Sequence, residues 1–325
     1  MLETGMSQKI YMLWIVTLVF ISVSSHKLIS QESNYVMPIP EIEQKLQHET
    51  YEIFRLKEAR YTGDIVRRCI FKWPDNSFLQ VKLKPAPTGG HMTNNAPRFE
   101  MAAYQIQKLF LDYDEYVVPP TFGRSMPVDE FKKYEIQVNP TFKNTSCVFI
   151  VLQCWLENVD TEFKFDKKRF ETDSVYARNL ANMNILTYLI EHNDSNKGNF
   201  LISTLPDVPK VFSVDNGMAF GSRESRRGTE WRDMKVSKLP VSTVEKLRKI
   251  TSATLHEKLG VVGQYQIVDG QVLPDDVSEN LDAKKGVRVA GAKVQFGLTD
   301  IEIDAIDKRL QKLMKQIDDG KYTLF

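Results

Sequence analysis

The stretch Met183–Phe220, MNILTYLIEHNDSNKGNFLISTLPDVPKVFSVDNGMAF, decides how the chain is read. An apolar run leads into Asp194, and Asn199 follows five residues on. Two short apolar segments, Phe200–Ile202 and Val211–Val214, flank a polar turn containing Pro206 and Pro209, and the second ends at Asp215-Asn216-Gly217. The pattern predicts a helix, a polar loop and a β-hairpin. Asp, Asn and Gly are ordinary turn residues, because they tolerate left-handed backbone angles and bond their own backbone. Here each polar cluster is bounded by an apolar segment of strand length, which pins its side chains at fixed ends.

Two carboxylates and a carboxamide held in this way meet a definite chemical need. Phosphoryl transfer from ATP uses one carboxylate to accept the proton of the acceptor hydroxyl, and an Asn with a second Asp to hold the divalent metal on the phosphates. Asp-x4-Asn is the spacing of a kinase catalytic loop, and Asp-x-Gly stands where kinases place a metal-binding Asp. Asp194 is therefore the candidate base, with Asn199 and Asp215 the candidate ligands of Mg²⁺ or Mn²⁺.

The upstream sequence supplies the remaining parts in kinase order. Between Tyr51 and Lys84 the chain reads as β-structure, and in its last strand Leu79, Val81 and Leu83 alternate with Gln80, Lys82 and Lys84. A lysine on such a strand binds the α/β-phosphates; Lys84 is the first choice and Lys82, on the same face, its rival. Pro97 opens a predicted helix whose first turn carries Glu100, placed to reach back to the strand lysine. A first-turn Glu is also favoured by the helix dipole alone, so the weight lies in its position after the lysine strand. Gly63 is the only glycine between Tyr51 and Lys84. A conventional Gly-rich phosphate cover is thus missing, which argues against an ordinary eukaryotic protein kinase.

The segment 147–159, CVFIVLQCWLENV, predicts a buried strand running into a hinge, where Gln153 to Leu156 stand by position to meet adenine; Gln153 and Trp155 are the named candidates. A helix through DSVYARNLANMNILTYLIEH has apolar positions Val175, Leu180, Ile185, Leu186, Leu189 and Ile190 and serves to aim Asp194; His192 is read as structural. Arg223, Arg226 and Arg227 lie where kinases carry the activation segment and are candidates to receive an anionic substrate, against the plain alternative of a solvated charge run. Helical stretches 241–258 and 299–318, the latter with Ile301, Ile303, Ile306, Leu310, Leu313 and Met314, read as packing of a second lobe.

Composition bounds the rest. The 325 residues are 42% hydrophobic and carry 43 basic against 42 acidic side chains. Such a balance supplies no global field to hold nucleic acid. The apolar run Ile10–Val23 is short of the roughly 20 residues of a membrane span but fits the hydrophobic region of a secretory signal. Residues 1–25 are expected to be a signal peptide, or an uncleaved anchor and then the only membrane attachment, and 26–48 a linker. Cys147 and Cys154 on one strand stand roughly 23 Å apart and cannot pair; Cys69 could bridge to either, and buried small hydrophobes are the favoured reading of all three. Asn144-Thr145-Ser146 and Asn193-Asp194-Ser195 fit the glycosylation pattern.

The runs LQVKLKPAP (79–87), FEMAAYQIQKLF (99–110), VVPPTFGR (117–124), NILTYLIEHND (184–194) and VDNGMAFGS (214–222) together resemble the secretory-pathway kinase family of the Golgi casein kinase and four-jointed kinases. The resemblance implies an atypical α+β, two-lobed kinase-like fold over residues 49–325, with a β-rich N-lobe to about 155 and a mainly helical C-lobe. It also implies ATP with Mg²⁺ or Mn²⁺ and a secreted, lumenal or periplasmic setting; substrate preference does not carry over, and the expected acceptor is a hydroxyl of a protein, a carbohydrate or another small alcohol. It assigns Lys84 and Glu100 to the nucleotide phosphates and metal, Asp194 as base and Asp215 as metal ligand. Where that family has Asp-Arg-His, this chain has Asp194-Ser195-Asn196; its Lys197-Gly198-Asn199 is closer to lipid kinases and HipA-like kinases. A catalytically inactive, nucleotide-binding pseudokinase is the alternative.

Overall fold

The computed structural model describes residues 33–57, 65–161 and 163–325. The expected signal segment and Gly63 lie outside the described residues. Among those described, no helix is long and apolar enough to cross a membrane.

Five antiparallel strands build the first lobe: β1 (Glu52–Leu56), β2 (Arg67–Lys72), β3 (Phe78–Pro85), β4 (Thr121–Pro127) and β5 (Cys147–Cys154), in the order β1-β2-β3-β5-β4. The period-two pattern of β3 buries Leu79, Val81 and Leu83 and turns Lys82 and Lys84 to the opposite face, where they pair across the ladder with Gln153 and Val151 of β5. Strand β5 is buried on both faces. Val148, Ile150, Leu152 and Cys154 enter the main core, whereas Cys147 and Phe149 enter a second, smaller one.

Helix α1 (Ile39–Gln47) corrects the expected linker 26–48: from Ser33 onward this segment belongs to the folded unit. Ile39, Ile42 and Leu46 form a buried stripe on a short, mostly polar helix, and Lys45 reaches Asp75 at 2.7 Å. Helix α2 (Pro97–Gln107) follows β3, and the short α3 (Val128–Lys132) follows β4.

The second lobe is organised on α5 (Ser174–Leu189), preceded by α4 (Lys167–Thr172) and capped by Asp173, whose side chain accepts from the N–H groups of Val175 and Tyr176. From Tyr176 to Leu189 α5 is buried almost throughout; Val175, in its first turn, is 50% exposed, contrary to the core position expected of it. Arg309 closes the far end, donating to Leu189 O at 2.8 Å. The predicted hairpin is present as β7 (Phe200–Ser203) and β8 (Val211–Ser213), widened by β6 (Val159–Asp160). Strand β9 (Lys238–Leu239) pairs with the terminal β14 (Thr323–Leu324).

The stretch expected as one helix, 241–258, is two: α6 (Val241–Leu247) and α7 (Ser252–Leu259), separated where Thr251 caps the second. Helix α8 (Asp300–Asp318) has the expected apolar face except Ile301, which is 81% exposed in the first turn. Between α7 and α8 lies a sheet that helical reading passed over: β10 (Gly263–Val268), β11 (Gln271–Asp275), β12 (Val287–Ala290) and β13 (Lys293–Phe296), ordered β11-β10-β13-β12. Its β10-β11 turn, Asp269-Gly270, has both residues at positive φ (50° and 77°), the geometry of a two-residue hairpin. Although late in sequence, it packs against the first lobe: Tyr265, Val272, Val294 and Phe296 enclose Phe149, Cys147 and Met101.

All three cysteines are free and buried. Burial pushes the Cys69 thiol up to about 12 and raises that of Cys154 as well, so both stay protonated and unreactive near neutral pH.

Phe149 stacks on Phe296 with ring centroids 4.3 Å apart and meets Tyr265 edge-on at 4.9 Å. Phe149→Ala should destabilise the protein by about 3–5 kcal/mol, read from urea unfolding. A loss under about 1 kcal/mol would show that the second core contributes little to holding the late sheet on the lobe.

Candidate active site

Two clusters of polar side chains lie in neighbouring segments joined by backbone hydrogen bonds. The first is ionic. Lys84 Nζ lies 3.1 Å from Glu100 Oε1 and 3.1 Å from Asp215 Oδ1, while Lys82 Nζ is 3.3 Å from the same Asp215 oxygen and 3.9 Å from Glu100. The two rival lysines therefore share one pair of carboxylates. Glu100 is buried, and its other oxygen, Oε2, accepts the Asn216 N–H at 3.1 Å. Gly217 leaves room for this: a Cβ there would come 3.3 Å from both Glu100 Oε1 and Lys84 Nζ. Asp215 adopts a left-handed backbone, φ 57°, which Asp tolerates better than most residues and which costs some strain at this turn.

The electrostatics follow from the pairing. Lys82 first and Lys84 second hold the Asp215 carboxyl well below the usual carboxylate range, outweighing its desolvation. Burial opposes the charge on Lys84, yet Asp215 and Glu100 together raise its pKa above the usual lysine value. Both groups are ionised at neutral pH.

The second cluster surrounds Asp194, which is 2% exposed. Its Oδ1 accepts from Asn196 Nδ2 at 2.8 Å, and its Oδ2 accepts from Asn199 Nδ2 at 2.8 Å and from Arg227 Nη2 at 2.6 Å. Asn199 Nδ2 also donates to Asp194 O at 2.7 Å, and Asn196 Oδ1 accepts the Gly198 N–H, so the loop folds around its own carboxylate. His192 is fully buried behind it and accepts the Asp194 N–H on Nδ1 at 3.3 Å. Burial lowers its pKa against the pull of Asp194 and Asp215, leaving a neutral imidazole that shapes the loop.

Backbone bonds join the clusters. The Val214 N–H, one residue before Asp215, donates to Asn199 O at 2.9 Å, Asn193 N–H donates to Met218 O at 2.8 Å, and Phe220 N–H donates to Ile190 O at 2.6 Å. Asn193 is itself buried, with Nδ2 donating to Ser222 O at 2.7 Å, so the nitrogen a glycan would join is taken in the folded protein. Asn144 is exposed.

The hinge expectation fares differently. The N–H of Trp155 donates to Gln80 O at 2.9 Å, that of Cys154 to Pro120 O at 2.9 Å and that of Glu157 to Asn34 O at 3.0 Å. The Gln153 side chain is buried and donates to Thr121 Oγ1 at 3.0 Å. These donors serve the sheet and its edges instead of facing a base; what Trp155 retains is its indole, with the Arg68 guanidinium 4.4 Å from the ring centroid. Sequence reasoning also passed over Asn196, and set Arg227 apart as an anion receptor where it in fact grips Asp194.

No group of three or more His, Cys, Asp or Glu among the described residues is arranged to hold a metal by itself. Among those same residues, however, no donor reaches Asp215 Oδ2 or Asn199 Oδ1. A carboxylate oxygen and an amide oxygen left open are the hard donors that Mg²⁺ and Mn²⁺ take alongside phosphate oxygens, so the residues fit such an ion.

No protein-family profile matches this sequence, and no characterised protein matches it by sequence. Solved structures do match by shape. A hydra Fam20 structure with sugar is similar at a TM-score of 0.50 and 15% identity, over 88% of this chain and 92% of that one. The Golgi casein kinase is similar at a TM-score of 0.51 and 16% identity, over 88% and 78%. The fold is a Fam20-type kinase fold. What is shared at this identity is the two-lobed architecture.

The depressed Asp215 pKa has a measurable sign. Its contribution to stability is present above the unfolded carboxyl value near 4 and is lost as pH falls through the lower folded value. Asp215→Asn should therefore flatten the loss of stability between about pH 5 and 2 in a series of urea unfolding curves. An unchanged slope would mean that Asp215 is not paired with the two lysines in solution.

Proposed function

We propose that the protein is an ATP-dependent phosphotransferase acting on a hydroxyl group. One observation carries this reading: the ion cluster of Lys82, Lys84, Glu100 and Asp215 is joined through the Val214–Asn199 backbone bond to a loop that presents a buried carboxylate, Asp194. Lys84, with Lys82 beside it, neutralises phosphate charge, and Glu100 fixes the lysine head so that little reorganisation accompanies nucleotide binding. Asp215 and Asn199 would hold Mg²⁺ or Mn²⁺, which when bound neutralises and orients the phosphate oxygens. Asp194 orients the acceptor hydroxyl and takes its proton on a carboxylate oxygen, Asn196 and Asn199 keeping the group in one rotamer. An incoming hydroxyl at Oδ2 takes the place now held by Arg227.

The acceptor is a protein or carbohydrate hydroxyl; one matched structure is a casein kinase and the other holds a sugar. The Golgi location of the former and the apolar segment Ile10–Val23 both support a secretory or otherwise extracytoplasmic setting.

Mass spectrometry of the protein incubated with ATP and Mn²⁺ tests the reading. Wild type should show phosphate incorporation or steady ATP turnover. Asp194→Asn should cut turnover by about 10²–10⁴-fold while keeping the rise in melting temperature that nucleotide causes. Asp215→Ala should lose both. A wild-type protein that is stabilised by nucleotide but transfers nothing is a nucleotide-binding pseudokinase instead; one that does not respond to nucleotide sinks both.

A further inference from the structure

Glu100 must stand at one place to serve Lys84, yet the helix that carries it starts without a side-chain cap. The N-cap of α2 is Ala96, which makes no side-chain capping bond, and Pro97 follows. Pro97 suits the first helical position, but without a side-chain cap the first turn lacks one of its usual holds. Arg98 supplies what the cap does not. Its guanidinium is buried, and it forks onto Glu302 with Nη1 to Oε2 at 2.6 Å and Nη2 to Oε1 at 2.7 Å, while Nη1 also reaches Gly297 O at 3.3 Å.

Glu302 is firm ground. It closes the capping box of the 19-residue α8, its Oε2 accepting the Thr299 N–H at 2.8 Å, and α8 is seated in the core through Ile303, Ile306 and Leu310. Residues two apart on a helix point about 200° apart, so Arg98 is held on one side of α2 while Glu100 reaches out on the other. Between them Phe99 packs on Phe220 at 5.3 Å, five residues beyond Asp215. Gly286 lies against the guanidinium so closely that a Cβ there would come within 2.3 Å of Arg98 Nε.

We propose that the Arg98–Glu302 pair is a positioning device: it clamps the first turn of α2 to the C-terminal helix and thereby sets the place of Glu100 against Lys84 and Asn216. A buried ion pair returns little net stability, because desolvation offsets most of the attraction, but a bidentate one fixes orientation closely. The consequence for nucleotide binding rests on the phosphotransferase reading, whereas the placement of Glu100 does not.

Hydrogen exchange at the Asn216 amide reports that placement directly, since this N–H donates to Glu100 Oε2 at 3.1 Å. Arg98→Ala and Glu302→Gln should each speed its exchange about tenfold or more and raise the KM for ATP by a similar factor, leaving exchange in α5 unchanged. Gly286→Ala, which crowds the guanidinium without removing a charge, should do the same to a smaller degree, and serves if Arg98→Ala does not fold. Unchanged Asn216 exchange in the folded variants overturns the proposal, even where the melting temperature falls, because a merely stabilising bridge would do only the latter. A wild-type protein that ignores ATP while its variants still speed Asn216 exchange refutes the phosphotransferase reading and upholds the clamp.

Discussion

A buried ammonium needs counter-charge, and in this protein satisfying Lys84 dictates where three separate parts of the chain must meet. At 3.1 Å and an effective dielectric of about 20, the attraction of Lys84 to Glu100 is about 5 kcal/mol, but removing each ion from water costs several kcal/mol. The net return is small. On the proposed phosphotransferase reading, a cluster with so little to offer stability, in which two lysines converge on Glu100 and a left-handed Asp215, stands ready to receive phosphate. The fold's task is to deliver the three parts: β3 in a register that turns Lys82 and Lys84 to one face, α2 at an angle that brings Glu100 under them, and a hairpin ending at Asp215.

Strand β5 makes that delivery possible. It lies between β3 and β4, so the face bearing the lysines is set by the ladder with β5, and its alternate residues serve different cores. Phe149 anchors the late sheet β10–β13 to the same lobe whose β3 carries Lys84. Through Arg98 and Glu302 the last long helix is tied to α2 as well. The late sheet and the first turn of α8 thus brace the first lobe, and in this two-lobed fold sequence order and lobe membership part company.

Much of this was legible because periodicity and punctuation agree locally. The alternation of Leu79 to Lys84, the Pro97 helix start and the two apolar segments around Pro206 and Pro209 each carry a strong local signal, and each becomes the element it suggests. The linker reading failed at α1 because three apolar residues on a nine-residue helix leave little contrast in a polar stretch. The late sheet was readable in part: Gln-Ile-Val-Asp-Gly-Gln-Val, 266–272, is a hairpin signal, overlooked because the helices on both sides suggested a helical lobe. The hinge could not be read, since whether the Trp155 N–H faces a ligand or Gln80 O depends on a tertiary pairing that no local pattern encodes. The grip of Arg227 on Asp194 spans 33 residues, across the β7–β8 hairpin and the loop after it, and is invisible for the same reason.

That grip supplies a third donor to a carboxyl group that is buried in the loop. Asp194 has only a trace of exposure, and two amides at 2.8 Å leave part of the hydrogen-bonding capacity of its two oxygens unmet. Arg227 completes the set, yet its own side chain is 65% exposed, so releasing it restores its hydration at little cost. A buried lysine or arginine in that role would be expensive to move; an exposed one on a loop is cheap. The loop that carries Arg227 is stitched to the site by Ser225 N–H donating to Asn193 O and Trp231 N–H to Ser195 O. Those two backbone bonds bracket Arg227, so the segment from Ser225 to Trp231 sets where its guanidinium meets Oδ2.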